Sequence, residues 1–222
     1  MEEARPYGLA PFDLHHSSAH SMNRRTLALI VMLVTFAATS AAQEKPVVPA
    51  GPPLAPFTAM KVSIFPAQLW RADSVGWSRN VTWATTRLAL DSAVQAILEE
   101  RGLGKKWAYA SDMVRLAKRN PTYANDPYSL GVVRLRNVEL KVGDAIPPLL
   151  GDNLRPFTAI GDTRYALIPV EVRAQGDGVV LRLVVADTRT RTLVWGGDLA
   201  SPGEPRLVEE LATRIANLII EP

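Results

Sequence analysis

Apolar and polar positions alternate most regularly in the last third of the chain. In RYALIPVEVR, GVVLRLVVAD and TLVWGGDL, apolar side chains return at every second position, the period of a β-strand. Ala166, Ile168, Val170 and Val172 share one face of the first run, and Val179, Leu181, Leu183 and Val185 one face of the second. The connectors QGD and TRTR allow only hairpins, so the three runs predict an antiparallel meander. Pro169 cannot donate to a ladder and favours an edge or a bulge. Downstream, Leu207, Leu211, Ile215 and Leu218 fall on one side of a closing helix. Trp195, beside Leu193 and Val194, is expected to pack against that helix near Leu211 or Ile215.

Earlier segments complete the pattern. Met60, Val62 and Ile64 alternate with Lys61 and Ser63, predicting a strand with one buried face. A long loop leads to a helix whose stripe is Leu90, Val94, Ile97 and Leu98, stopped by Gly102. Lys105–Ala110 reads as a short second strand. Ser111 is placed to cap the helix DMVRLAKRN, which ends before Pro121. DPYSLGVVRL and IPPLLGDNLRPF read as two shorter helices. The order β-α-β-α-α-α-β-β-β-α predicts an α/β fold, a single two-layer or three-layer sandwich. It has a mixed sheet, a C-terminal antiparallel three-strand meander and a closing helix. The helices over 90–98 and 207–218 should cover the core face, leaving sheet-end loops and residues 121–162 as variable surface.

The stretch NRRTLALIVMLVTFAATSAAQ changes the domain picture. Arg24 and Arg25 precede an apolar run, and small residues lead to Ser40-Ala41-Ala42, in the order of a secretion signal cleaved before Gln43. The run is shorter than the roughly 20 residues of a membrane span. An uncleaved signal anchoring the chain to the inner membrane is the alternative. Residues 1–21 read as a spurious or disordered extension before Met22, 22–42 as the signal peptide, 43–58 as a proline-rich linker, and 59–220 as one α/β domain. A periplasmic or secreted location follows, with no stable membrane span after cleavage.

Removing 1–42 also removes His15, His16 and His20, so the remainder holds neither His nor Cys. It loses three basic and three acidic residues, and the net charge stays at +3. That mild excess suits an anionic envelope surface better than nucleic acid. Nucleophilic catalysis that pairs Ser or Cys with His is excluded from this remainder, and no nucleotide, zinc-protease or hydrolase-elbow motif occurs. No metal or cofactor is expected. Asp144, Asp152, Asp162, Asp177 and Asp198 each follow Gly. Turn formation accounts for them one by one, while a carboxylate-dependent hydrolase acting on envelope glycans would need several to converge. Lys105, Lys106, Arg115, Lys118 and Arg119 suit either a solvated helix face or an anionic partner.

Trp70, Trp77 and Trp83, with Arg71 and Arg79, lie in or beside the first long loop. They suit a partner-binding surface, because Trp and Arg dominate interface hot spots; plugging the end of the sheet is the other reading. Val62, Ile64 and Pro66 at the front, and Asp187, Thr190, Leu193, Val194 and Trp195 at the back, carry a resemblance. Together with the element order, they resemble the α/β domain shared by penicillin-binding-protein activator lipoproteins, curli-secretion lipoproteins and the N-terminal domain of the Tol-system propeller protein. The resemblance implies a non-catalytic envelope domain that docks on a protein. The chain departs from those lipoproteins in having no Cys after the signal, and in carrying Arg191 where a Gly usually follows the Thr.

Overall fold

The computed structural model describes residues 51–72, 82–203 and 205–221. The leader, its cleavage site and residues 43–50 of the linker lie outside these, as do Trp77 and Arg79. Strand β3 (Tyr165–Gln175) is central. It pairs antiparallel with β4 (Gly178–Asp187), which pairs antiparallel with β5 (Thr192–Ser201). On its other side run two short parallel strands, β1 (Val62–Ile64) and β2 (Leu69–Arg71). The sheet is therefore mixed, with the predicted meander intact.

Pro169 settles as a bulge in this central strand, where the β3–β4 register shifts between Pro169 and Glu171. Its missing N–H does little harm there, because the neighbouring edge is itself interrupted at Phe65–Gln68, between β1 and β2. Phe65 N–H donates to Leu167 O at 2.9 Å and Gln68 N–H to Pro169 O at 3.0 Å, closing the ladder around the break. The extra residue also re-aims the strand. Ala166, Ile168 and Val170 pack in one core cluster and Val172 in the other, so these four do not share a face as strict alternation predicted.

Helices α1 (Trp83–Glu100) and α4 (Leu207–Ile219) cover one face. Leu90, Val94, Leu98, Leu211, Ile215 and Ile219 meet Leu181, Leu183 and Val185 there. Helix α1 ends as its sequence asked: Gly102 is left-handed at φ 89°, Leu103 N–H reaches Leu98 O and Gly102 N–H reaches Glu99 O. These two bonds make a Schellman cap. Trp195 packs on this cluster but is only half-buried.

The second face corrects the expectation that residues 121–162 are mere variable surface. Helix α3 (Pro148–Ile160) and the segment before it bury Leu130, Val132, Leu135, Ile146, Leu150, Leu154 and Phe157 against the sheet, making a third layer. That second cover explains why Val62, Ser63 and Ile64 are all buried, instead of on one side only. Lys105–Ala110 is not a strand: only Ala108 bridges, to Ser63, since β1 offers a three-residue edge. DPYSLGVVRL keeps a four-residue 3-10 turn, Val132–Leu135, because its Pro, Ser and Gly resist a regular helix. Helix α2 (Ala110–Arg119) begins before Ser111. Asp112 accepts the Tyr109 N–H at 3.0 Å, while Ser111 donates to Gln95 Oε1 on α1 at 3.0 Å. Leu54 is fully buried and donates its N–H to Leu218 O at 2.7 Å, so the packed unit begins inside the stretch assigned to the linker.

Candidate binding surface

Strands β1, β2 and β3 all finish toward one end of the sheet, and the first turns of α1 lie there. The carboxyl end of parallel strands is where open α/β sheets commonly hold ligands. Trp70 is fixed by β2, in register with Val172. Trp83 opens α1, and the two indoles stack with centroids 4.8 Å apart at 23°. One turn on, the Arg87 guanidinium lies 5.8 Å from the Trp83 ring and 3.8 Å above Tyr128, cation–π distances. Another turn on is Asp91. Trp83, Arg87 and Asp91 thus form one stripe at i, i+4 and i+8.

Tyr128 is brought into place by Gln68, which fills the gap between β1 and β2. Its amide donates to Pro66 O at 2.7 Å and Pro127 O at 2.9 Å, and its Oε1 accepts the Leu130 N–H at 2.9 Å. Gln68 is buried, so each bond is made in a setting where a lost partner is costly. The clip holds the 127–130 loop above α1.

Charge in this cluster is held under tension. Burial pushes the Asp91 carboxyl up to about 7, although the Ala67 amide and the Arg87 charge pull it down. Burial, with the charges of Asp91 and Asp126, also raises Tyr128 against the pull of Arg87. Arg87 Nε and Asp91 Oδ2 are both buried without a hydrogen-bond partner among the described residues. Leu88 stands beside them, 54% exposed. The surface can grip a partner's apolar side chain on the stacked indoles and an acidic one at Arg87.

Arg71 lies on the same strand as Trp70, its Nε 3.9 Å from Glu171 Oε1. Glu171 is buried and takes Arg136 Nε at 2.8 Å. Directly across the sheet follow Arg182 and Asp198. Arg182 binds Asp198 and donates to the carbonyls of Leu135, Arg136 and Val138 at 3.1, 2.8 and 3.0 Å. Burial raises the Asp198 carboxyl, but Arg182 and Arg173 outweigh it and hold the group below its usual range. This row pins the 132–138 segment over the sheet.

Of the five residues singled out from sequence, the structure brings Trp70 and Trp83 together and sets Arg71 at the edge. Both tryptophans also pack on the core cluster while staying part-exposed. Arg87, Tyr128, Asp91 and Gln68 were missed. The spacing of Trp83, Arg87 and Asp91 signals a shared stripe; nothing local to Tyr128 points to a ring 41 residues up the chain from Arg87.

The glycine-linked aspartates lie on separate elements. Asp152 pairs with Arg191, Asp162 with Lys61 and Asp198 with Arg182. Among the described residues, no group of three His, Cys, Asp or Glu could hold a metal ion. Gly102-Leu103-Gly104 forms the helix stop, and Arg115 in the basic cluster pairs with Asp112 at 2.8 Å.

No family model matches the chain, and no curated protein matches it. Similar solved structures include the LpoB C-terminal domain from Salmonella enterica, 9% identical over 67% of this chain and 95% of that one, with a TM-score of 0.40. Lipoprotein GNA1162 from Neisseria meningitidis is 18% identical over 71% of this chain and 97% of that one, at 0.37. TolB from Acinetobacter baumannii is 13% identical over 72% of this chain and 27% of that one, at 0.35. LpoB and TolB fall in two of the groups that the sequence resembles, and the likeness is one of distant fold.

Proposed function

We propose that this chain is an exported, non-catalytic binding or assembly module of the bacterial cell envelope. It docks on a protein partner through the surface around Trp70, Trp83, Arg87 and Tyr128. The observation that carries the reading is the Arg87 guanidinium held between Tyr128 and a stacked, half-exposed indole pair. Trp, Tyr and Arg are the types that supply most binding energy at interfaces. Here they are fixed in advance by β2, α1 and the Gln68 clip, so little side-chain freedom is lost on docking. Arg71 lies next to Trp70 on β2; Trp77 and Arg79, the other two residues singled out from sequence, lie outside the described residues. Of the Gly-linked carboxylates that a glycan hydrolase would need to converge, Asp152 lies in α3, Asp162 just after it and Asp198 in β5, and these three are paired with arginines and a lysine.

The test is crosslinking in intact cells followed by recovery of the protein. Arg87→Glu reverses the charge of this half-buried side chain and should lower recovery of a partner at least tenfold, with circular dichroism showing that the fold is kept. Equal recovery from Arg87→Glu and the parent would remove this surface from consideration.

A further inference from the structure

The opposite end of the sheet carries a second surface, independent of the first. A groove of about 390 Å³ is lined by Arg155, Thr158, Ala159, Thr163, Thr188, Arg189 and Arg191. Its elements are the last turns of α3, the approach to β3 and the β4–β5 turn. It adjoins a larger hollow, about 590 Å³, that shares Thr158, Ala159 and Thr163 and adds Met60, Lys61, Asp162, Arg164 and Tyr165.

Several of these cations are already spoken for. Lys61 pairs with Asp162, Arg164 with the buried Asp187, and Arg191 with Asp152 at 2.8 Å. Arg155 and Arg189 are exposed, and neither forms an ion pair among the described residues. No carboxylate lines the narrower groove. The Thr158 and Thr188 hydroxyls give their protons to backbone carbonyls, and the Thr163 hydroxyl is hydrogen-bonded to Ser63, so the arginines are the main donors for an incoming oxyanion. Met60 and Ile160 flank this end at 38% and 45% exposure. Cations around exposed apolar side chains suit a bilayer surface, where headgroup phosphates meet the charge and the apolar groups enter the interface.

We propose that this end of the molecule is a phosphate-binding face that rests on an anionic bilayer, with Arg155 and Arg189 taking lipid headgroup phosphates and Met60 and Ile160 touching the interface. Arginine suits phosphate because its planar fork donates in pairs. The site lies away from the aromatic cluster, so the chain would meet a membrane with one end and a protein with the other.

The test is co-sedimentation of the whole protein with vesicles of phosphatidylcholine alone or with about a third phosphatidylglycerol. Binding is expected only to the anionic vesicles and should weaken as salt rises, since these charges are exposed. Arg155→Gln with Arg189→Gln should lower the partition constant by roughly tenfold to thirtyfold, taking about 1 kcal/mol per basic residue near such a surface. Both side chains are exposed, so the fold, followed by circular dichroism, should be unchanged. Arg115→Gln with Arg119→Gln removes the same charge from α2 and should leave binding within twofold. An equal loss from that control would show a diffuse charge effect and overturn the site. Saturable binding of inorganic phosphate without vesicle binding would overturn the membrane assignment, and binding of neither would overturn the proposal entirely.

Discussion

Asp91 is the residue whose chemistry most sets the candidate surface. Its folded pKa, raised to about 7 by burial, exceeds the value of about 3.9 expected in the unfolded chain. The native state therefore binds more protons than the unfolded state between about pH 4 and 7, and stability must fall as pH rises through that window. Three units at about 1.4 kcal/mol each make a cost on the order of 4 kcal/mol once the carboxyl is ionised. Asp91→Asn keeps the shape of the neutral acid. Thermal melts should show the variant well above the parent at pH 8 and within a degree or two of it at pH 4. Parallel curves for the two across that range would refute the assignment.

Arg191 is a second residue with a local consequence. It sits at φ 58°, the conformation a Gly adopts at no steric cost. The departure from the resembled pattern thus changes the residue and keeps the turn. Asp187 organises that turn, accepting the amides of Arg189 and Thr190 at 2.9 and 3.3 Å. Burial raises its carboxyl, but Arg164 and those amides prevail and hold it below the usual range. Left-handed backbone costs a side-chain-bearing residue about 1 kcal/mol and a β-branched one more. The exposed pair with Asp152 adds little. Arg191→Gly should match or exceed the parent in denaturant melts, and Arg191→Val should lie about 1 to 2 kcal/mol below the Gly variant. The reverse order would mean that the turn is held by something other than backbone geometry.

At the scale of elements, period and punctuation were enough for the meander, the closing helix, and α1 with its Gly102 stop. They failed where pairing depends on distant chain. Leu69–Arg71 becomes a strand only because β3 lies alongside, and three residues show no period. Trp107 and Tyr109 alternate around Ala108 like a strand, yet β1 is too short to extend the ladder. The bulge at Pro169 was legible as a possibility, but its effect, turning Val172 to the other core, depends on the break at Phe65–Gln68. Gln68 joins that break to the 127–130 loop and sits where sequence shows only a turn-rich stretch. Gln68→Ala leaves buried partners unsatisfied at Pro66, Pro127 and Leu130, each costing about 1 kcal/mol or more. Chemical denaturation should show a loss of about 2 to 4 kcal/mol. A loss under 1 kcal/mol would mean that the loop is held without the clip.

For the whole molecule, the sheet has two distinct ends. Indoles, a tyrosine and a guanidinium gather where β1, β2 and β3 finish, and arginines with exposed apolar residues gather where β3 begins. Among the described residues, no helix is long and apolar enough to cross a membrane. Half of the candidate site could be read from sequence because Trp70 and Trp83 are near each other along the chain; Tyr128 and Gln68 could not, because only the folded sheet brings them there. The central claim is that this aromatic end meets a protein. A photo-crosslinking amino acid at Leu88, exposed beside Arg87, reports on it most directly in living cells. The account predicts one recurring protein adduct at Leu88, lost with Arg87→Glu and absent when the probe sits at Val142. No adduct at Leu88, or the same adduct from both positions, would contradict it.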